Sequence, residues 1–303
     1  MGTTDLIAPY AHRMRELELR VPSPLAEVRD PELDARGVRL VLKRDDLIHP
    51  ELPGNKWRKL KYNLQDAADA GFTRLLTFGG AYSNHLLATA AAGRFFGFET
   101  IGVVRGEEHL PLNDTLQAAT AHGMKLSYLD RTVYRSKASP DVIADLGRQW
   151  GEFFLIPEGG ANPAGVRGCR ELVAEIDIPF DVITCSCGTG ATLAGIAAGL
   201  APGCHAIGFS ALKGGDFLDA DVTRFQTETF GGRVGEWSVD TNFHFGGFAR
   251  RTPELEAFID YFDSEHGVRL DWVYEAKMIY GLLARIRGGD FAEGTTLVAV
   301  VAG

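Results

Sequence analysis

The sequence predicts an α/β protein assembled from parallel βαβ units. Three observations carry this: short apolar runs alternate with helical stretches through most of the 303 residues, glycine turns separate a run from the helix after it, and one Pro/Gly cluster interrupts the alternation. Residues 56–62 start a helix with Leu60 and Leu64 on one face, and residues 75–78 read as a buried strand. The alanine-rich stretch 86–96 is the helix after its glycine turn, 100–104 a strand, 116–122 helical and 125–129 extended. Residues 140–150 are helical and 153–156 extended. The cluster Pro157-Glu158-Gly159-Gly160-Ala161-Asn162-Pro163 marks the domain crossing. Beyond it come a helix over 164–176, strand 182–184, helix 192–200 and strand 205–209. Residues 254–266 and 274–286 have the apolar spacing of amphipathic helices, and 295–301 form a last strand.

Composition narrows the function. The hydrophobic content is 45% and the net charge −9, with no basic stripe to neutralise a phosphate backbone, so nucleic acid is not an expected partner. Arg13, Glu16, Glu18 and Arg20 interrupt the first twenty residues as a secretory leader would not, and no stretch approaches the roughly 18 apolar residues of a membrane span. The expected location is the cytoplasm, with no membrane partner. Cys169, Cys185, Cys187 and Cys204 form no CxxC pair, so they read as small buried residues, with neither disulfides nor a metal site expected.

Three segments have the residue types for chemistry. Lys56 follows Gly54-Asn55 at a helix start, where burial and the helix N-terminus lower an amine toward its nucleophilic, imine-forming state. The other basic residues there, Arg58, Lys59 and Lys61, read as solvated surface, as does the charge run Lys43-Arg44-Asp45-Asp46. Gly79-Gly80-Ala81-Tyr82-Ser83-Asn84-His85 lies between a strand and a helix, where backbone N–H groups, the Ser83 hydroxyl and the Asn84 amide suit a carboxylate. Ser83 or Asn84 is equally suited to a plain helix cap. Cys187-Gly188-Thr189-Gly190-Ala191-Thr192 is a second such turn. It lacks the Lys-Ser/Thr of a P-loop, and Leu193 replaces the glycine of a dinucleotide fingerprint, so it fits one phosphate. An imine-forming lysine, a carboxylate turn and a monophosphate turn together match pyridoxal 5′-phosphate acting on an amino acid.

With these residues in view, the chain resembles the family of 1-aminocyclopropane-1-carboxylate deaminase and D-cysteine desulfhydrase, within the pyridoxal-phosphate enzymes of tryptophan-synthase-β-like fold. The motifs KRDDL, GNKWRKL, GGAYSNH, EGG, CGTGAT and VYEAKMIYGL occur in the family's order from Leu42 onward. The resemblance implies two open, twisted, mainly parallel sheets flanked by helices, the arrangement of fold type II. It implies a larger cofactor-binding domain of residues 1–55 and 161–303, a smaller α/β domain of residues 56–160, an active site between them, and a homodimer.

Carried over by position, Lys56 is the lysine that holds the cofactor as an imine, and Asn84 bonds the cofactor's 3′-oxygen. Ser83, Asn84 and His85 meet the substrate, with Ser83 and His85 at its carboxylate. Gly188, Thr189, Gly190, Ala191 and Thr192 form the phosphate cup. Tyr274 is an active-site tyrosine, with either Tyr274 or Ser83 expected to handle a proton at the leaving group or the substrate, and Glu275 faces the pyridine nitrogen. Two positions depart from the pattern: Phe248 stands where a second tyrosine is expected, and Ala302 where the desulfhydrases have a threonine. His85 follows the desulfhydrases and Glu275 the deaminases. The implied activity is an amino-acid lyase or deaminase working through a Cα carbanion and releasing a 2-keto acid and ammonia. The alternatives are cyclopropane-ring opening, racemisation, a nucleotide-dependent enzyme, and a non-catalytic protein that binds a phosphorylated ligand.

Overall fold

Strands form here where β-branched and large apolar residues recur between glycines and charged turns, and several helices begin at a side chain that caps their first free N–H groups. The computed structural model describes residues 4–303, with side chains from Tyr10 onward. The first half contains α1 (Thr4–Glu16), β1 (Leu25–Val28), α2 (Pro31–Ala35), β2 (Arg39–Arg44), α3 (Gly54–Asp69), β3 (Arg74–Gly79), α4 (Asn84–Phe96), β4 (Glu99–Arg105), α5 (Asp114–Ala121), β5 (Lys125–Leu129), α6 (Arg131–Arg135), α7 (Pro140–Trp150) and β6 (Phe154–Ile156). The second half contains α8 (Pro163–Ala174), β7 (Val182–Cys187), α9 (Ala191–Gly199), β8 (His205–Ser210), α10 (Phe217–Phe230), β9 (Glu236–Asp240), α11 (Pro253–His266), α12 (Glu275–Gly288) and β10 (Thr296–Val301).

The chain divides into two compact units, one of residues 4–19 and Lys56–Asn162, the other of Arg20–Asn55 and Pro163–Gly303. In the smaller unit four parallel strands lie in the order β5-β4-β3-β6. Alternation along β3 and β4 sends Leu76, Phe78, Ile101 and Val103 to one face, against Tyr134 and Leu146. The other face packs Val104 with Leu86 and Ala90 of α4, Leu116 of α5, and Met124. Each such side chain stabilises the fold by about 1.5–3 kcal/mol on burial. Gly102 of β4 leaves room for Met124 and for Leu86 of α4, since a Cβ there would lie 2.6 Å from the Met124 sulfur and 3.3 Å from Leu86 Cδ2. The segment 4–19 belongs to this unit although the sequence reading placed it with the larger one. Tyr10 is the physical reason: its ring packs on Phe96 at 5.1 Å and its hydroxyl donates to the Lys61 carbonyl at 3.1 Å.

In the larger unit the order is β1-β2-β10-β7-β8-β9, parallel throughout except for the antiparallel β1–β2 pair. β10 sits between β2 and β7, with Val298 opposite both Val41 and Ile183. Leu40 and Leu42 of β2, Phe262 of α11, and Leu282 and Ile286 of α12 meet in the core on one face. No helix among the described residues is long and apolar enough to cross a membrane. Cys169, Cys185 and Cys187 are buried.

The charged stretches depart from the expectation of a solvated surface. Lys43 is fully buried at the end of β2, where its Nζ donates to the Ser23 carbonyl at 2.7 Å and pairs with Glu175 at 3.0 Å. Asp45 is fully buried too and accepts from the Ser23 hydroxyl. On α3, Arg58 and Lys59 are buried as well. A charge enters a core only with partners that replace water, and local periodicity cannot show a partner as distant in sequence as Glu175.

Candidate active site

Lys56 occupies the third position of α3 and is half-buried. The chain then forms β3 and a tight turn that brings in Ser83, Asn84 and His85. Gly79 ends β3 because the turn folds back on it, and a Cβ there would lie 2.6 Å from the Ser83 hydroxyl. Ser83 caps α4, its Oγ accepting from the Leu86 N–H at 3.3 Å. The first N–H groups of α4, those of Asn84 and His85, have no partner within the helix and carry its positive end. The Asn84 side chain is exposed.

His85 is 3% exposed, and its Nε2 lies 2.9 Å from Thr77 Oγ1. Because the Thr77 hydroxyl donates to the Ile156 carbonyl at 2.8 Å, it accepts from His85, which puts the ring hydrogen on Nε2. Nδ1 is then a buried lone pair with no partner. Burial, reinforced by the positive charges of Lys59 and Lys56, holds the His85 pKa down at about 3, so the ring is neutral at working pH. Gly160 of the EGG turn completes the group, since a Cβ there would lie 3.0 Å from Lys59 Cβ and 3.5 Å from His85 Cε1. The structure thus gathers Lys56, Ser83, Asn84 and His85 with two residues the sequence reading left out of the site, Lys59 and Thr77. Thr77 had a legible signal as the one polar residue in Leu75-Leu76-Thr77-Phe78. A ring with its hydrogen committed to Thr77 has none to offer a carboxylate.

In the larger unit, β7 runs into the Gly188-Thr189-Gly190 turn and α9. Gly190 has φ 83° and offers no side-chain cap, leaving the first N–H groups of α9 open. The Thr189 hydroxyl is buried without a partner, and Thr192 is buried beside the turn. An uncapped helix N-terminus with an orphaned hydroxyl fits a phosphate. Gly188 lies under Tyr274, whose ring carbon and hydroxyl would be 3.1 and 3.3 Å from a Cβ at that position. Tyr274 is seated by its own N–H, which donates to Asp271 Oδ2 at 2.7 Å. Phe248 meets the Tyr274 ring edge to face at 5.9 Å and is 47% exposed. The Phe248 loop is held by Lys277, a buried ammonium that donates to the Gly247 carbonyl at 2.8 Å. Burial lowers the Lys277 pKa, with Asp271 opposing.

Glu275, the first residue of α12, is 3% exposed. Its Oε1 accepts from the N–H groups of Ala302 and Gly303, and its Oε2 from that of Asp271. Burial and the neighbouring Asp271 raise its pKa to about 7, against these three hydrogen bonds. Glu275 and Ala302 therefore meet at the two positions where the family patterns diverge. Gly54 lies flush against the same backbone, since a Cβ there would be 1.9 Å from the Ala302 carbonyl oxygen. Among the described residues no group of His, Cys, Asp and Glu could hold a metal ion.

Several known proteins are similar to this chain. The bifunctional D-cysteine desulfhydrase/1-aminocyclopropane-1-carboxylate deaminase, mitochondrial, of Arabidopsis thaliana is 31% identical over 288 residues, covering 88% of this chain and 72% of that protein. The 1-aminocyclopropane-1-carboxylate deaminase of Ralstonia nicotianae is 27% identical, with 91% and 90% covered. A crystal structure of an ACC deaminase homologue superposes with a TM-score of 0.80 at 28% identity, covering 93% of this chain and 89% of that one. The description "pyridoxal-phosphate dependent enzyme" matches residues 18–303, and the chain belongs to that family, with pyridoxal phosphate as its cofactor.

Proposed function

We propose that this enzyme is an amino-acid lyase of D-cysteine-desulfhydrase type, removing a β-substituent and releasing a 2-keto acid and ammonia. Lys56 would hold the cofactor, and its amine would take the Cα proton. Gly188, Thr189, Gly190, Ala191 and Thr192 would hold the cofactor's phosphate, Asn84 its 3′-oxygen, and Glu275 its ring nitrogen. When bound, pyridoxal phosphate supplies an electron sink for the carbanion at Cα. Ser83 and the N–H groups of Asn84 and His85 hold the substrate carboxylate. The His85 Nδ1 lone pair receives a hydrogen from the substrate, and Tyr274 moves a proton at the leaving group.

The observation that favours elimination over cyclopropane-ring opening is Phe248. A hydrocarbon ring stands edge-on to Tyr274 where ring opening would draw on a second hydroxyl. The test is a keto-acid release screen over both enantiomers of β-substituted amino acids, with 1-aminocyclopropane-1-carboxylate included. Elimination substrates are expected to turn over and the cyclopropane acid to fail, with Phe248→Tyr raising its turnover. Robust wild-type turnover of the cyclopropane acid overturns the assignment. Covalent retention of pyridoxal phosphate after borohydride reduction of the loaded protein, lost in Lys56→Ala, tests the role of Lys56 separately. By the same reading the enzyme is a cytoplasmic homodimer, and a monomeric mass by light scattering would refute the dimer.

A further inference from the structure

The smaller unit contains a cleft of about 630 Å³ that the assignments above leave unused. Part of its wall is Gly80-Ala81-Tyr82, the segment leading into Ser83, and Arg105, Arg131, Arg135 and Lys137 converge on it. Glu158 is its one acidic residue, and it is engaged by Lys137 at 3.0 Å. Three guanidinium groups remain without an ion pair among the described residues, in a chain whose net charge is −9.

Local geometry makes this more than solvated surface. Arg131 and Arg135 lie four apart on α6, a like-charge spacing that destabilises a helix unless something neutralises it. Arg105 is held against the glycine turn, its Nη2 being 3.6 Å from where a Gly80 Cβ would lie. Between the cations stands Tyr134, which is 3% exposed. Lys137 is 4.6 Å and Arg105 6.0 Å from the centroid of its ring. The Tyr134 hydroxyl is buried beside the Glu158 carboxylate, burial and that carboxylate together raising its pKa, and no hydrogen bond of normal geometry joins the two. A buried hydroxyl without a partner among converging guanidinium groups is the donor set of an oxyanion site.

We propose that this cleft receives an oxyanion carried on the side chain of the amino-acid substrate, so that the enzyme prefers a β-substituent such as sulfate, sulfonate or phosphate over a neutral one. The proposal rests on the lyase reading and names its substrate class. For serine O-sulfate the Cα proton is removed and the Cα–Cβ double bond forms as Cβ–O breaks. Sulfate leaves with the electron pair, and water converts the enamine to pyruvate and ammonia.

The test uses the pyridoxal-phosphate-loaded enzyme and the ratio of kcat/KM for serine O-sulfate to that for β-chloroalanine, each enantiomer separately. The wild-type ratio is expected to exceed 10 and to fall at least tenfold in Arg131→Gln/Arg135→Gln, with inorganic sulfate competing against the sulfate ester. A ratio at or below 1, or one the double variant does not change, overturns the proposal. So does sulfate inhibition that is equal for both substrates, which would mark the cleft as a free-anion site. Failure of the lyase reading is distinguishable, because neither substrate would then yield keto acid.

Discussion

At Glu275 the structure spends three backbone N–H groups on one carboxylate and still leaves its pKa at about 7, because burial and Asp271 outweigh them. A folded-state value above the ordinary 4.5 means that the native protein keeps a proton the unfolded chain releases. The Glu275 contribution to stability therefore falls as pH rises from 4.5 to 7, by about 1.4 kcal/mol per unit. Glu275→Gln should lose stability at low pH, since an amide group then meets the Asp271 N–H, and should lack this falling contribution. Urea titrations of the cofactor-free protein at intervals across that range will show it. A variant that kept the wild-type slope would mean that another group titrates. Such a carboxyl is suited to a ring nitrogen, whose positive charge would drive it back to the ionised form.

At the level of elements, two devices hold the site's loops. Ser83→Ala removes the cap of α4 and is expected to cost about 1 kcal/mol of unfolding free energy. It should also weaken carboxylate binding if the hydroxyl contacts substrate. A variant that loses stability with KM unchanged would leave Ser83 as a cap alone. Lys277→Met keeps the bulk of the side chain but leaves the Gly247 carbonyl without its donor, in a loop where Phe245 and Ala249 have φ near 50°. That loop is expected to become protease-sensitive and Tyr274 to lose its Phe248 neighbour. Equal proteolysis rates in the two proteins would refute this. The strand-helix alternation around β3, α4, β4 and β7 was legible because apolar runs there are bounded by glycine or a capping residue. β1, β2, α10 and β9 were not read from the sequence. In β2 the buried strand ends in Lys43, which looks solvent-facing until Glu175 is seen beside it. Lys59 was missed for a related reason, since its role follows from His85 and Gly160, which only the fold brings near, whereas Thr77 stood out as a polar residue in an apolar strand and lacked only a visible partner. Lys56, the Ser83 turn and the Gly188 turn were legible because each needs a helix start of recognisable composition.

Across the whole molecule, His85 and Glu275 act on stability with opposite sign. The folded-state pKa of His85, about 3, lies below the ordinary 6.5, so the unfolded chain takes a proton that the native ring refuses. Stability from this group is lost as pH falls from 6.5 toward 3. Between 4.5 and 6.5 the two slopes cancel, giving a plateau bounded by a fall on the acid side from His85 and one toward pH 7 from Glu275. In Glu275→Gln the plateau should become a steady rise up to pH 6.5. A plateau that persisted in that variant would discount the cancellation. The position of β10 has a further consequence, for the order of folding. The larger sheet is joined in its middle by a strand whose Thr296 pairs with Arg39, so that sheet closes only across most of the chain's length. The β3–β6 sheet needs only contiguous sequence. Closure over long separations is slow. In pulsed hydrogen exchange during refolding, amides of β3 and β4 should gain protection before those of β2 and β10, leaving an intermediate with the larger sheet still open along both flanks of its missing central strand.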